Sequence, residues 1–300
     1  MHAFGPRAFT VLLGMLLLAA VCPVFAVEET NAKVTVIVDV TKNGRVDWTH
    51  REVHATGIGV ASAMARTAAQ KRLYAREAAI VAAERNLLQL IEGVAIDSIT
   101  TVKDAMMKED LIVRRVNGLL QGAVIVREKA LDADTYQVEM AVNLYGAKSA
   151  LSSSVDLSTR LTVMPPEPVP GQATTPEPSV APDHYTGLIV DCRGFALDRA
   201  MCPRILDAEK HNLLDNLRVT PEELNARGLA AYFRSLDDPA LKKRVGARPL
   251  MVKAVGIEGK TRFKTDVVLS ELDYAFVAAE NGKAGFLNDL NVAFLIDGDR

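Results

Sequence analysis

The chain has 300 residues, enough for two domains, and its 35 basic against 37 acidic side chains leave a formal charge of −2. A near-neutral chain lacks the basic footprint of a nucleic-acid binder. With 5% aromatic residues and Trp48 as the single tryptophan, it is poorly supplied with stacking platforms for bases or sugars.

The first element is a leader. A short basic region (the Met1 amine and Arg7) precedes the apolar run Val11 to Val21, and Pro23-Val24-Phe25-Ala26 supplies small or aliphatic residues before a cut. This three-part pattern predicts a secretory signal peptide over residues 1–26. The run is too short, and meets Glu28 and Glu29 too soon, for a membrane span. Cys22 stands where a lipoprotein carries its acylated cysteine, but Val21 before it is not the small residue such processing wants. The expectation is cleavage after Ala26 and a periplasmic location, with outer-membrane association as the lipidated alternative.

A first domain over 27–160 opens with the β-branched run Val34 to Val40, a turn at Lys42-Asn43-Gly44-Arg45, and a second strand over 46–56. Gly57-Ile58-Gly59 follows, then an Ala-rich segment over about 60–92 that predicts one long helix stopped at Gly93. On a helical wheel Ala65, Ala69, Leu73, Ile80, Ala83, Leu87, Leu90 and Ile91 share a face meant for burial against a sheet. Arg76 falls inside that stripe. It is expected as a buried structural charge that meets a carboxylate, with Glu139 a candidate, or several backbone carbonyls. A short helix is expected at 101–109. Ala123-Val124-Ile125-Val126 and the alternating Tyr136 to Leu144 predict a hairpin.

Seven of the thirteen prolines fall between 164 and 183, so 161–183 reads as a semi-rigid linker. Beyond it, 184–298 predicts a second domain. Strands are expected at 186–191, 204–207, 249–255, 265–269 and 291–296. A Thr220-Pro221-Glu222-Glu223 start predicts a helix to about Ser235, and a second helix runs from Ser270 to near Gly282. The fold class expected is α+β: an antiparallel sheet packed by one long Ala-rich helix, followed by a small mixed α/β domain.

Chemistry-bearing residues are sparse. Gly57-Ile58-Gly59 with Ser62 lacks the third glycine of a dinucleotide fingerprint, and no parallel βαβ pattern continues from it; a tight turn is the expectation. Asp191, Asp198 and Asp207 match no ligand spacing, the histidines are scattered, and Ser152-Ser153-Ser154 lacks a nucleophile elbow. Once Cys22 is lost with the leader, Cys192 and Cys202 remain. They form a candidate disulfide if exported, or two small buried thiols. No enzyme activity, cofactor or metal is expected.

One resemblance is carried by an ordered set of fragments: Ala55-Thr56-Gly57-Ile58-Gly59, Ala75-Arg76-Glu77-Ala78-Ala79, Ala83-Glu84-Arg85-Asn86-Leu87-Leu88, Gly93-Val94, Ser98 to Val102, Gly118 to Ala123 and Tyr136-Gln137-Val138. Together they resemble the LPP-twenty outer-membrane lipoprotein family. That family is similar in turn to the N-terminal domain of the T-type flagellar assembly protein and to the P-type flagellar lipoprotein. The second domain, with Thr186 to Gly194 and Pro203 to Asp207, looks like a domain that follows it in longer exported bacterial members. The resemblance implies a non-enzymatic cell-envelope protein with a structural or assembly role. Its implied partners are envelope proteins, flagellar or outer-membrane components among them. The alternative is a periplasmic binding module for a small ligand or cell-wall glycan.

Overall fold

Small residues decide how the first part is built. A computed structural model of the protein describes residues 36–160, 163–164, 184–259 and 263–298. The expected leader, Val34, Thr35 and all of the linker except Val163 and Met164 lie outside the described residues. The first strands are β1 (Val38–Thr41), β2 (Gly44–Asp47) and β3 (Glu52–Val60), each antiparallel to the last. The single strand expected over 46–56 is thus divided, at Trp48–Arg51, and Arg51 takes a positive φ of 66° to make the turn.

Gly57 and Gly59 are not a turn. They lie inside β3, on the face that meets helix α1 (Ala68–Gly93). A Cβ on Gly57 would sit 2.2 Å from Ala79 O and from Ala83 N, and one on Gly59 would sit 2.2 Å from Ala75 O and Ala79 N. Strand and helix therefore touch backbone to backbone, which only glycine on one side and alanine on the other permits. Thr67 starts α1 with a capping box: Gln70 N donates to Thr67 Oγ1 at 3.1 Å and Thr67 N donates to Gln70 Oε1 at 3.2 Å. The helix starts later than expected, and its buried stripe is Ala75, Ala79, Ala83, Leu87, Leu90 and Ile91. Leu73, placed on the inner face by the wheel, is 56% exposed.

Two helices follow, α2 (Val102–Lys108), as expected, and α3 (Asp110–Gln121), which the sequence reading did not include. Then β4 (Val124–Ala130) and β5 (Thr135–Asn143) form the expected hairpin and complete a sheet of order β1-β2-β3-β5-β4. A β-bulge between Ile125 and Arg127 resets β4, so that Arg127 opposes Glu139 and Glu128 opposes Val138. This reset governs the fate of Arg76. Directly opposed residues share a face. Val138 is fully buried beneath α1, so Glu128 lies on the α1 side and accepts from Arg76 Nε at 2.8 Å. Glu139 projects from the other face, where Arg45 Nη1 reaches it at 2.7 Å. The expectation for Arg76 is corrected on two counts: its partner is Glu128, and its side chain is 33% exposed rather than buried. Exposed pairs are weak because water screens them. Arg76→Ala should therefore leave the melting temperature within error of the parent, which a thermal melt by circular dichroism checks.

The first part ends in α4 (Leu151–Val155), a 3₁₀ turn over Leu157–Arg160 and β6 (Val163–Met164). The second part begins at β7 (Gly187–Asp191) and continues through β8 (Ile205–Leu206), β9 (Leu217–Arg218), α5 (Pro221–Arg227), β10 (Ala231–Phe233), α6 (Pro239–Val245), β11 (Pro249–Lys253), β12 (Gly256–Glu258), β13 (Asp266–Val268), α7 (Glu271–Ala284) and β14 (Val292–Leu295). Four strands form a parallel sheet of order β10-β14-β7-β11, and a smaller sheet runs β12-β13-β8. Near-continuous apolar strands such as Val292–Leu295, buried at every position, suit a sheet covered on both faces. Helix α5 is half the length expected. Gly228, at φ 67°, ends it, and the following Ala231–Phe233 enters the sheet instead. The fold class is α+β.

The two parts pack on one another through a shared apolar core, and the described residues form one compact unit. Trp48 stacks edge-on to Tyr232 with centroids 5.7 Å apart, and its Nε1 donates to Asp39 Oδ2 at 2.6 Å. Asp39 also pairs with Arg199. Cys202 N donates to Ile96 O at 2.7 Å and Met201 N to Ala95 O at 3.0 Å. Arg51 lies 4.5 Å above the Tyr145 ring and donates to Ala226 O at 2.8 Å. Behind it Arg244 donates to the carbonyls of Arg227, Gly228 and Val292 at 2.7 to 3.2 Å. Burial and the neighbouring Arg227 and Arg51 guanidiniums lower its pKa, while the carbonyls ending α5 offset that cost. If a protease site is engineered into residues 165–183, the cut fragments should therefore co-elute on gel filtration and melt together. Separate elution would show that the interface depends on the covalent link.

Candidate functional site

A half-open groove of about 950 Å³ lies among the described residues beside the start of β4. Four elements shape it. Edge strand β4 presents Val124 and Val126, 64% and 49% exposed. The end of α3 and its C-cap contribute Gly118 and Gly122, which carry no side chains, and Leu119 and Val142 add apolar lining. The loop before α4 bends through Ser149 at φ 52°, and α4 ends at Asp156 at φ 52°. The start of α5 closes the far side with Pro221 and Glu222. The rim carries both signs, Arg115 and Lys148 against Glu222 and Asp156.

The serines near this groove serve the backbone. Ser152 Oγ donates to Asn225 O at 2.8 Å, and Ser153 and Ser154 each donate to Ala150 O at 2.9 Å. These bonds shape the loop and fix it to α5 rather than aim a nucleophile at the opening.

A second cavity of about 280 Å³ lies between the two parts, walled by Trp48, Leu90, Val94 and Phe263, with Asp39 and Arg199 among its polar residues. A third cluster sits on the sheet face away from α1. There Glu139 meets Arg45, and His54 stands 3.4 Å from Glu139 and 2.9 Å from Glu52.

The residues singled out from sequence are not brought together. Asp191 is bonded by Arg193 at 2.8 and 2.7 Å, which holds its carboxyl below the usual range. Asp198 accepts from Lys264 N at 2.8 Å, and Asp207 pairs with His211 at 2.8 Å. Among the described residues no three His, Cys, Asp or Glu side chains are grouped to hold a metal ion. The candidate disulfide is corrected as well: Cys192 and Cys202 are buried thiols with no bond between them. Cys192 continues β7 into the core with its Sγ 3.6 Å from Val190 O, and burial pushes its thiol up to about 12. The backbone of Cys202 is tied instead to Ile96 of the first part. Both thiols should resist alkylation at pH 8 in the folded protein and react once it is denatured, which mass spectrometry of labelled protein reads directly.

The groove residues escaped the sequence reading. Their signal is local: Val124, Ile125 and Val126 are consecutive β-branched residues without alternation, which on an edge strand leaves apolar surface outside the core.

Residues 187–298, from β7 to just beyond β14, match the family model of the second domain of Treponema pallidum Tp0624. The match covers the parallel-sheet part and leaves the first part outside. No curated protein matches the chain.

Proposed function

We propose that this chain is a non-enzymatic, exported cell-envelope protein with a structural or assembly role. The observation that carries the reading is the groove beside β4. Small-molecule sites of about 300–1,000 Å³ bury most of their ligand, whereas this one lies at the upper end of that range and is half open. Such a shape suits a segment of another protein. The leader pattern of residues 1–26 supports export, and the likeness of residues 46–145 to LPP-twenty proteins supports an envelope role. Among the described residues no helix is long and apolar enough to cross a membrane.

The test is fractionation of the producing cells, followed by N-terminal sequencing and affinity isolation from envelope extract. The expected result is a chain beginning at Val27 in the periplasmic fraction, recovered with defined envelope proteins in constant ratio. A chain that keeps residues 1–26 and stays in the cytoplasm would overturn the reading. The second reading, a small-ligand or glycan module, draws on the 280 Å³ cavity. Trp48 is 7% exposed there and its ring is taken up by Tyr232, so it offers little face to a sugar.

A further inference from the structure

We propose that the groove takes an extended peptide segment of a partner protein, which adds to the sheet as a strand alongside the first half of β4. The proposal rests on the assembly reading above and names the chemistry of its partner.

β4 is an edge. It pairs with β5 on one side, and among the described residues no strand pairs with the other. An edge presents a row of backbone donors and acceptors that can template a further strand, and folded proteins usually guard it with charges and bulges. Here the guard is unequal. The second half of β4 carries Arg127, Glu128 and Lys129, beyond the bulge. The first half carries Val124 and Val126, exposed and uncharged, and it opens onto the groove. An added strand would gain backbone hydrogen bonds from the edge and place alternate side chains against the apolar lining. Gly118 and Gly122 also line the groove, and a Cβ at Gly118 would meet nothing within 4 Å.

The charges choose among occupants. A rim bearing both signs suits a peptide with mixed charge and disfavours a polyanion such as nucleic acid or an anionic lipid surface. A second copy of this chain is disfavoured where it would pair through the charged half of β4. A two-fold axis at Arg127 would set arginine against arginine, and one at Glu128 would set Glu128 against itself and Arg127 against Lys129, both destabilising.

The test uses the full chain. A random dodecapeptide phage library is selected against it, and the most enriched peptide is synthesised together with two forms N-methylated at alternate residues. Strand addition expects one methylated form to lose at least tenfold in affinity and the other to bind nearly as well, because only alternate backbone N–H groups face β4. The double variant Val124→Lys, Val126→Lys, checked for an unchanged melting temperature, should also lose at least tenfold. Absence of any enriched peptide, equal binding by both methylated forms, or unchanged binding to the folded double variant would each overturn the proposal. If the double variant does not fold, the methylated pair decides alone. Envelope complexes that form normally with the double variant would refute this site and leave the assembly reading standing. Peptide binding without any envelope complex would do the reverse.

Discussion

Gly57→Ala and Gly59→Ala should each destabilise the protein by about 3 kcal/mol or more, at the upper end of the cost of overpacking a core. In each case the new methyl would lie 2.2 Å from backbone atoms of α1. A flexible side chain could swing away from such a contact, but a helix backbone cannot. To make room α1 must lift off β3, and in doing so it would part Leu87, Leu90 and Ile91 from the sheet. Urea denaturation followed by circular dichroism gives the loss directly. Substitution at Gly93, where a Cβ meets nothing within 4 Å, is the control and should cost far less. Equal costs at Gly57 and Gly93 would mean that the close approach of strand and helix does not set the effect.

Trp48→Ala should cost about 3–5 kcal/mol, as removal of a large buried aromatic does. Trp48 fills space between the two parts, with Tyr232 against its ring and Asp39 on its Nε1. The loss should therefore appear as one shifted unfolding transition. If the second part melted unchanged while the first melted early, the shared core would not couple them. Trp48→Phe keeps most of the ring contact and removes the hydrogen bond, so it should cost less, about 1–3 kcal/mol for leaving Asp39 short of a donor. Asp39 retains Arg199 in either case.

Element type was legible wherever a strong local pattern coincided with its tertiary setting. The alternation from Tyr136 to Leu144 predicts β5 because one of its faces is buried and the other meets polar groups. Thr220-Pro221-Glu222-Glu223 predicts the start of α5 because capping is decided within four residues. Its end was missed because Gly228 owes its role to the Tyr145 ring, 2.5 Å from where a Cβ would be, and Tyr145 is remote in sequence. The inner face of α1 was legible from its alanines together with Leu87, Leu90 and Ile91, but not which alanines meet which strand residues. Ala75, Ala79 and Ala83 at spacing four face Ala55, Gly57 and Gly59 at spacing two, and neither series is informative without the other. The groove was illegible for a related reason. It belongs to four elements at once, and one of them, α5, is reached only across the proline-rich segment.

The bulge in β4 makes the pairing phase of that strand a guarded quantity alongside its side chains. Residues beyond Val126 keep their sides only because Val126 is passed over in the pairing with β5. Were Val126 taken into a regular ladder, Arg127 would oppose Val138 beneath α1 near Arg76, and Glu128 would move to the far side beside Glu139. Two attractive pairs would become two repulsive ones without any change in composition. Loss of Val126 itself would instead straighten the strand and leave both charges on their present sides.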